Sequence, residues 1–174
     1  MLVDRVTLIG RIRFEPENRT KKHNEQASWK KVAMVEFRDD TCEYYSWFIK
    51  KRYNISLNKP LRGPHISFIN DSIRDLSLSG TRTHKEVNKL WEETKKKWHN
   101  KQIPVVLDLD PRSNNVHWWF NIPSGEGRIL HEIRSELGLK EPFFKFHMTI
   151  GLIHPHELEH SQYILNGLIS GMII

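Results

Sequence analysis

The stretch Phe144-Lys145-Phe146-His147-Met148-Thr149-Ile150-Gly151-Leu152 has a counterpart in His65-Ile66-Ser67-Phe68, 82 positions earlier (147 minus 65). Successive side chains of a strand point to opposite faces, so each histidine shares a face with the hydroxyl residue two places on. His65 and Ser67 stand on one side of their strand and Ile66 and Phe68 on the other; His147 and Thr149 are set against Met148 and Ile150 in the same way. The apolar face of each strand belongs to a core, and the polar face opens onto a groove.

Upstream of His65, Val6, Leu8 and Ile12 alternate with Thr7, Arg11 and Arg13, which predicts a strand over residues 2–14. Residues 15–31 are polar and form a loop or long hairpin connection to a second strand at 32–37. Asp40-Thr41-Cys42-Glu43 has the form of a capping box and opens a helix over about 41–53, on which Tyr44, Tyr45 and Trp47 are helix packing. Pro60, Gly63 and Pro64 keep that helix from continuing into the strand of His65. Residues 70–82 are turn-like, and Thr83-His84-Lys85-Glu86 is a second capping box. The helix it opens keeps Val87, Leu90, Trp91, Thr94 and Trp98 on one face, with Lys95, Lys96 and Lys97 on a wet one.

Downstream, residues 103–109 and 116–122 read as the two strands of a hairpin around a turn at 110–115. An amphipathic helix carrying Ile129, Leu130, Ile133 and Leu137 ends at Gly138, and is followed by the apolar strand 144–153 and a last helix at about 156–168. Residues 1–100 and 101–174 thus share one order: strand, strand, helix, strand with His-x-Ser or His-x-Thr, helix. The expected fold is α+β, a single domain over 1–174 with two pseudo-symmetric lobes, about 1–100 and 101–174. Antiparallel sheets line a central groove and helices lie outside.

Composition narrows the function classes. With 38% apolar and 28% charged residues the 174-residue chain suits a globular domain rather than a disordered or fibrous one. Lys and Arg number 27 against 21 Asp and Glu, a balance of +6 that favours an anionic partner. The single cysteine, Cys42, excludes a disulfide scaffold and cysteine-based zinc sites, and the chain reads as cytoplasmic, or host-cytoplasmic if it is viral. No stretch approaches the ~20 apolar residues of a membrane span, and the apolar run 163–174 reads as a buried helix or closing strand. A monomer without membrane attachment is expected.

Two histidines and two hydroxyls around one groove are the parts that phosphodiester cleavage needs. One imidazole takes a proton from the attacking hydroxyl or water, the other gives one to the leaving oxygen, and the hydroxyls hold the non-bridging oxygens. No metal or other cofactor is called for. The two motifs resemble those of the 2H phosphoesterase superfamily, in which paired His-x-Ser/Thr motifs, each followed by an apolar residue, lie on central strands of two related lobes. The trailing Gly151 strengthens the likeness of the second motif. The resemblance implies that His65 and His147 are the catalytic acid/base pair and that Ser67 and Thr149 hold the phosphate. It also implies substrates among RNA ends, 2′,3′-cyclic phosphates, 2′-5′ or 3′-5′ oligonucleotides and cyclic (oligo)nucleotides, the last cleaved by phage members. The alternative is a non-catalytic module that binds RNA or a nucleotide in the same groove.

Around the motifs, Trp119 shares a strand face with His117 and Asn121 and is the aromatic expected to stack on a base, while Trp118 faces the core. Arg11, on the polar face of the first strand, and Arg62, just before the first motif, are the expected phosphate contacts. Two metal-type patterns compete. His156-Glu157-Leu158-Glu159-His160 matches the helical zinc motif H-E-x-x-H. Against a zinc hydrolase stand charged Glu159 at an inner position and the lack of any Asp, Glu or His after His160 to serve as a third ligand. Asp108 and Asp110 share a strand face and could hold magnesium, but Asp110-Pro111 opens a turn.

Overall fold

The computed structural model describes residues 4–16, 30–60, 62–78, 80–142 and 145–153. The connection 17–29, the His156/Glu157/His160 motif, the expected last helix and the apolar run 163–174 lie outside them. Among the described residues the fold is mixed, with two antiparallel sheets, three helices of nine residues or more and one short helical turn. The first sheet contains β1 (Arg5–Phe14), β2 (Lys30–Glu36), β3 (His65–Ser72) and β4 (Gln102–Asp108) in the order β3-β2-β1-β4. The second contains β5 (Arg112–Ser113), β6 (His117–Asn121) and β7 (His147–Leu152) in that order. The helices are α1 (Asp40–Tyr53), α2 (Ile73–Leu76), α3 (His84–Trp98) and α4 (Arg128–Glu136).

Alternation decides what the strands turn inward, except in β2, where Val32 to Val35 are all buried. In the first sheet Ile12 and Phe14, Ala33 and Val35, Ile66 and Phe68, and Ile103, Val105 and Leu107 turn inward. Against them α3 lays Val87 and Trp91, with the Trp91 ring 4.9 Å from that of Phe14 and its indole N–H donating to Glu15 Oε1 at 3.0 Å. The second sheet buries Trp118, Phe120, Met148 and Ile150, and Tyr45 of α1 meets Phe120 at 5.0 Å. All of these belong to one continuous apolar cluster.

Four local expectations change. Residues 103–109 and 116–122 do not form a hairpin: β4 pairs with β1 from Arg5↔Asp108 to Arg11↔Gln102, which sets Leu107 beside Val6 and Val105 beside Leu8. The partner of β6 is β7, with the two-residue β5 on its other side. The segment 70–82 is not all turn, because β3 runs to Ser72 and α2 follows. The box at Asp40 does not form: Asp39 is the N-cap without a side-chain bond, while Arg38 holds Asp40 at 2.7 Å and Lys59 holds Glu43 at 2.8 Å. The Thr83/Glu86 box does form, with both reciprocal bonds present. Nor is the lysine cluster wholly wet, since Lys95 binds Glu15 at 2.6 Å and Lys97 pairs with Glu136.

Two features recur at corresponding places. In β2–β3 the register passes from Met34↔Ser67 to Ala33↔Ile69, so Phe68 is an extra, bulged residue. In β6–β7 it passes from Trp119↔Thr149 to Trp118↔Gly151, so Ile150 is the bulge, at the same distance from its histidine. Each bulge puts two successive residues inward, Phe68 with Ile69 and Ile150 with Gly151, after a histidine and a hydroxyl that face outward. Gly151 has to be glycine there, because a Cβ would come within 2.8 Å of the Asn58 carbonyl that bridges to Leu152.

The helices are exchanged between the strands that carry the histidines. α1, which precedes β3 in the chain, packs on β7, and α4, which precedes β7, packs on β3. From α1 the buried Cys42 thiol donates to the Thr149 carbonyl at 3.6 Å. From α4 the buried Arg134 donates to the carbonyl of bulged Phe68 at 2.8 Å, and its guanidinium grips Asp71 at 2.8 and 3.2 Å.

Candidate active site

β3 and β7 are edge strands of their sheets and touch each other, which brings His65 and His147 onto neighbouring elements. Each is the first residue of its strand, where the chain turns in from a loop. His65 Nδ1 lies 3.0 Å from the Gly63 carbonyl and His147 Nδ1 3.0 Å from the Lys145 carbonyl, in both cases the residue two places earlier. A carbonyl only accepts, so Nδ1 carries the proton and Nε2 of the neutral ring holds the lone pair. Neither Nε2 has a partner among the described residues. Both rings are half-buried, Ser67 is exposed and Thr149 half-buried.

Cross-strand register shows what stands beside them. On the first sheet Arg11 faces Glu36 and Glu36 faces His65; one row on, Arg13 faces Met34 and Met34 faces Ser67. Arg13 donates to Glu36 at 3.0 Å, so that carboxylate is shared with a cation. On the second sheet Asn121 faces His147, and Arg112, Trp119 and Thr149 form one row. The Trp119 ring lies 5.9 Å from His147, and its indole N–H donates to Asn121 Oδ1 at 3.1 Å.

Burial lowers the pKa of His65; the positive charges of Arg62 and His147 push the same way, while the Gly63 carbonyl and the Glu36 carboxylate oppose them. His65 therefore favours the neutral ring, the form that accepts a proton.

A cavity of about 590 Å³ opens on the second sheet, lined in part by Arg112, Trp119, Asn121, Lys145, His147 and Thr149. Of the expected site residues, it gathers His147, Thr149 and Trp119. His65 and Ser67 lie on β3 and Arg11 two strands further, a lateral distance of about 10 Å from His65 by strand spacing. Arg62 stands in the turn before β3. Arg112 and Lys145 were not singled out from sequence. Lys145 could have been, since it shares the odd-numbered parity of His147 and Thr149; Arg112 sits on a two-residue strand that has no pattern to read.

The acidic pair resolves into ion pairs, Asp108 with Arg5 at 3.2 Å and Asp110 with Arg112 at 3.1 Å. Among the described residues no three His, Cys, Asp or Glu side chains converge as they would to hold a metal ion. Of the three α1 aromatics expected to pack, only Tyr45 is buried; Tyr44 and Trp47 are 61% and 57% exposed. Among the described residues no helix is long and apolar enough to cross a membrane. Comparison of the chain with protein-family models, with curated proteins and with solved structures finds no match.

Proposed function

We propose that the chain is a two-histidine phosphodiesterase that needs no metal and cleaves RNA ends, oligonucleotides or cyclic (oligo)nucleotides in a groove between two pseudo-symmetric lobes. The observation that carries the reading is the matched pair of Nδ1···carbonyl contacts at 3.0 Å on two touching edge strands. They orient both rings alike and leave both Nε2 atoms for chemistry. His65, held toward its neutral form, takes the proton of the attacking hydroxyl or water as that oxygen bonds to phosphorus. His147, protonated on both nitrogens, gives its Nε2 proton to the leaving oxygen as the second P–O bond breaks. Ser67 and Thr149 donate to the non-bridging oxygens, Arg11 and Arg62 supply positive charge, and Trp119 stacks on a base. Both histidines come from one chain, so the site is complete in a monomer.

The test is hydrolysis, in excess EDTA, of nucleoside 2′,3′-cyclic phosphates, 2′-5′ and 3′-5′ oligoadenylates and cyclic dinucleotides. Wild-type protein is expected to cleave at least one of them, and His65→Ala and His147→Ala each to lose ~10²–10⁴-fold in rate. Binding without turnover would make the groove a nucleotide-binding module, and turnover only after metal addition would overturn the mechanism.

A further inference from the structure

The cavity beside His147 is placed on one side of the reaction only. A phosphate served by both histidines sits between β3 and β7, yet among the described residues the cavity's lining includes His147 and Thr149 and none of the first sheet. Whatever fills it is attached to the scissile phosphate on the His147 side.

Its lining states the chemistry of that group. It offers one large aromatic face, Trp119, and two full cations, Arg112 and Lys145, and among the described residues no carboxylate lines it. Lys145 has no acidic partner among the described residues. Arg112 pairs with Asp110, but these side chains are 60% and 52% exposed, so that pair is solvent-screened and readily exchanged for a stronger anion. Register fixes the order: Thr149, Trp119 and Arg112 follow one another across β7, β6 and β5, which sets Arg112 about 10 Å from Thr149 with the aromatic ring between. Scissile phosphate, base and second anion would meet those three residues in turn.

We propose that this cavity holds a second nucleotide unit, its base against Trp119 and its own phosphate between Arg112 and Lys145, so that preferred substrates carry a phosphate beyond the scissile one. The assignment rests on the phosphodiesterase reading above. It makes linear or cyclic oligonucleotides the substrate class and nucleoside 2′,3′-cyclic monophosphates poor substrates.

Two measurements test it. The first compares kcat/KM for the dinucleoside monophosphate ApA with pApA and ApAp, which carry an added terminal phosphate. One phosphorylated form should be favoured at least about tenfold, the worth of a charge-assisted contact. That preference should collapse toward unity in Arg112→Ala and Lys145→Ala and persist in Lys96→Ala, the same charge change on exposed α3 surface. The second is calorimetric binding, without turnover, of adenosine 3′,5′-bisphosphate and adenosine 5′-monophosphate. The bisphosphate should bind about tenfold more tightly to wild type but not to the Arg112 and Lys145 variants. Equal kcat/KM for the three dinucleotides, equal binding of the two mononucleotides, or a preference that survives both substitutions overturns the proposal. Cleavage without preference would refute the cavity assignment alone; selective binding without cleavage would refute the catalytic reading alone.

Discussion

A histidine that moves protons has to present one nitrogen and anchor the other. In this chain the anchor is the backbone itself: a carbonyl two residues back receives Nδ1–H in both strands, with no second side chain involved. The lowered pKa of His65 then sets a pH dependence whose sign can be worked out. If His65 is the base, protonating it stops the reaction, so the acid limb of kcat/KM falls below the ordinary histidine value of about 6.5. Stability follows the same group. Above about pH 6.5 the ring is neutral folded and unfolded, and it has no effect. As the pH drops from there through the lowered folded value, the unfolded chain binds the proton first and stability is lost; below both values the loss is complete. His99 adds to this, because burial and then Arg13 and Lys95 lower it and its Nδ1 accepts the Phe14 N–H at 3.1 Å. Melting temperature should therefore fall between pH 7 and 5.5, and less steeply in His65→Gln and His99→Gln. Identical slopes in wild type and both variants would refute the assignment. Glu15 and Glu86, whose pKa values are lowered from 4.5, act in a separate window below that pH.

Elements impose the order that single residues cannot. The bulges at Phe68 and Ile150 end the alternation that begins at each histidine, and Arg134 fastens the first of them from another helix. Arg134→Met leaves Asp71, whose side chain is 20% exposed, without its partner, and the Phe68 carbonyl loses its donor. The expected cost is about 3 kcal/mol, read from the urea midpoint. Arg134→Lys should recover little of it, because an ammonium cannot span the Asp71 carboxylate and the separate Phe68 and Lys140 carbonyls, the latter 2.6 Å from Nη2, as the planar fork does; a lysine variant as stable as wild type would show that the fork does not matter. What was legible in the sequence divides along this line. The α3 capping box joins residues three apart, so Thr83 and Glu86 sufficed to read it. That His65 shares a face with Ser67 followed from alternation, as did the inward turn of Trp118. The place of β4 did not, because its partner strand lies about a hundred residues away and both apolar patterns also fit a hairpin. The Asp40 box failed for a related reason: Arg38 and Lys59 took up its carboxylates, and Lys59 comes from beyond the helix. Arg112 reaches the cavity only through the pairing of β5 with β6, which no local pattern announces.

For the molecule as a whole the governing feature is the exchange of helices between the two histidine strands. A cut at the exposed turn by Asp110 divides the chain into a piece with β1–β4 and α1–α3 and a piece with β5–β7 and α4. Each piece keeps one histidine and carries the support of the other's, Cys42 for the Thr149 carbonyl and Arg134 for Phe68. Neither piece alone should cleave a substrate that the whole chain cleaves, and equimolar mixing should restore activity in a saturable, one-to-one titration; turnover by a single piece would refute this. A chain cross-supported in this manner has no half-working state. Loosening of either histidine strand withdraws the prop from the other, so the two strands are held in place or lost together.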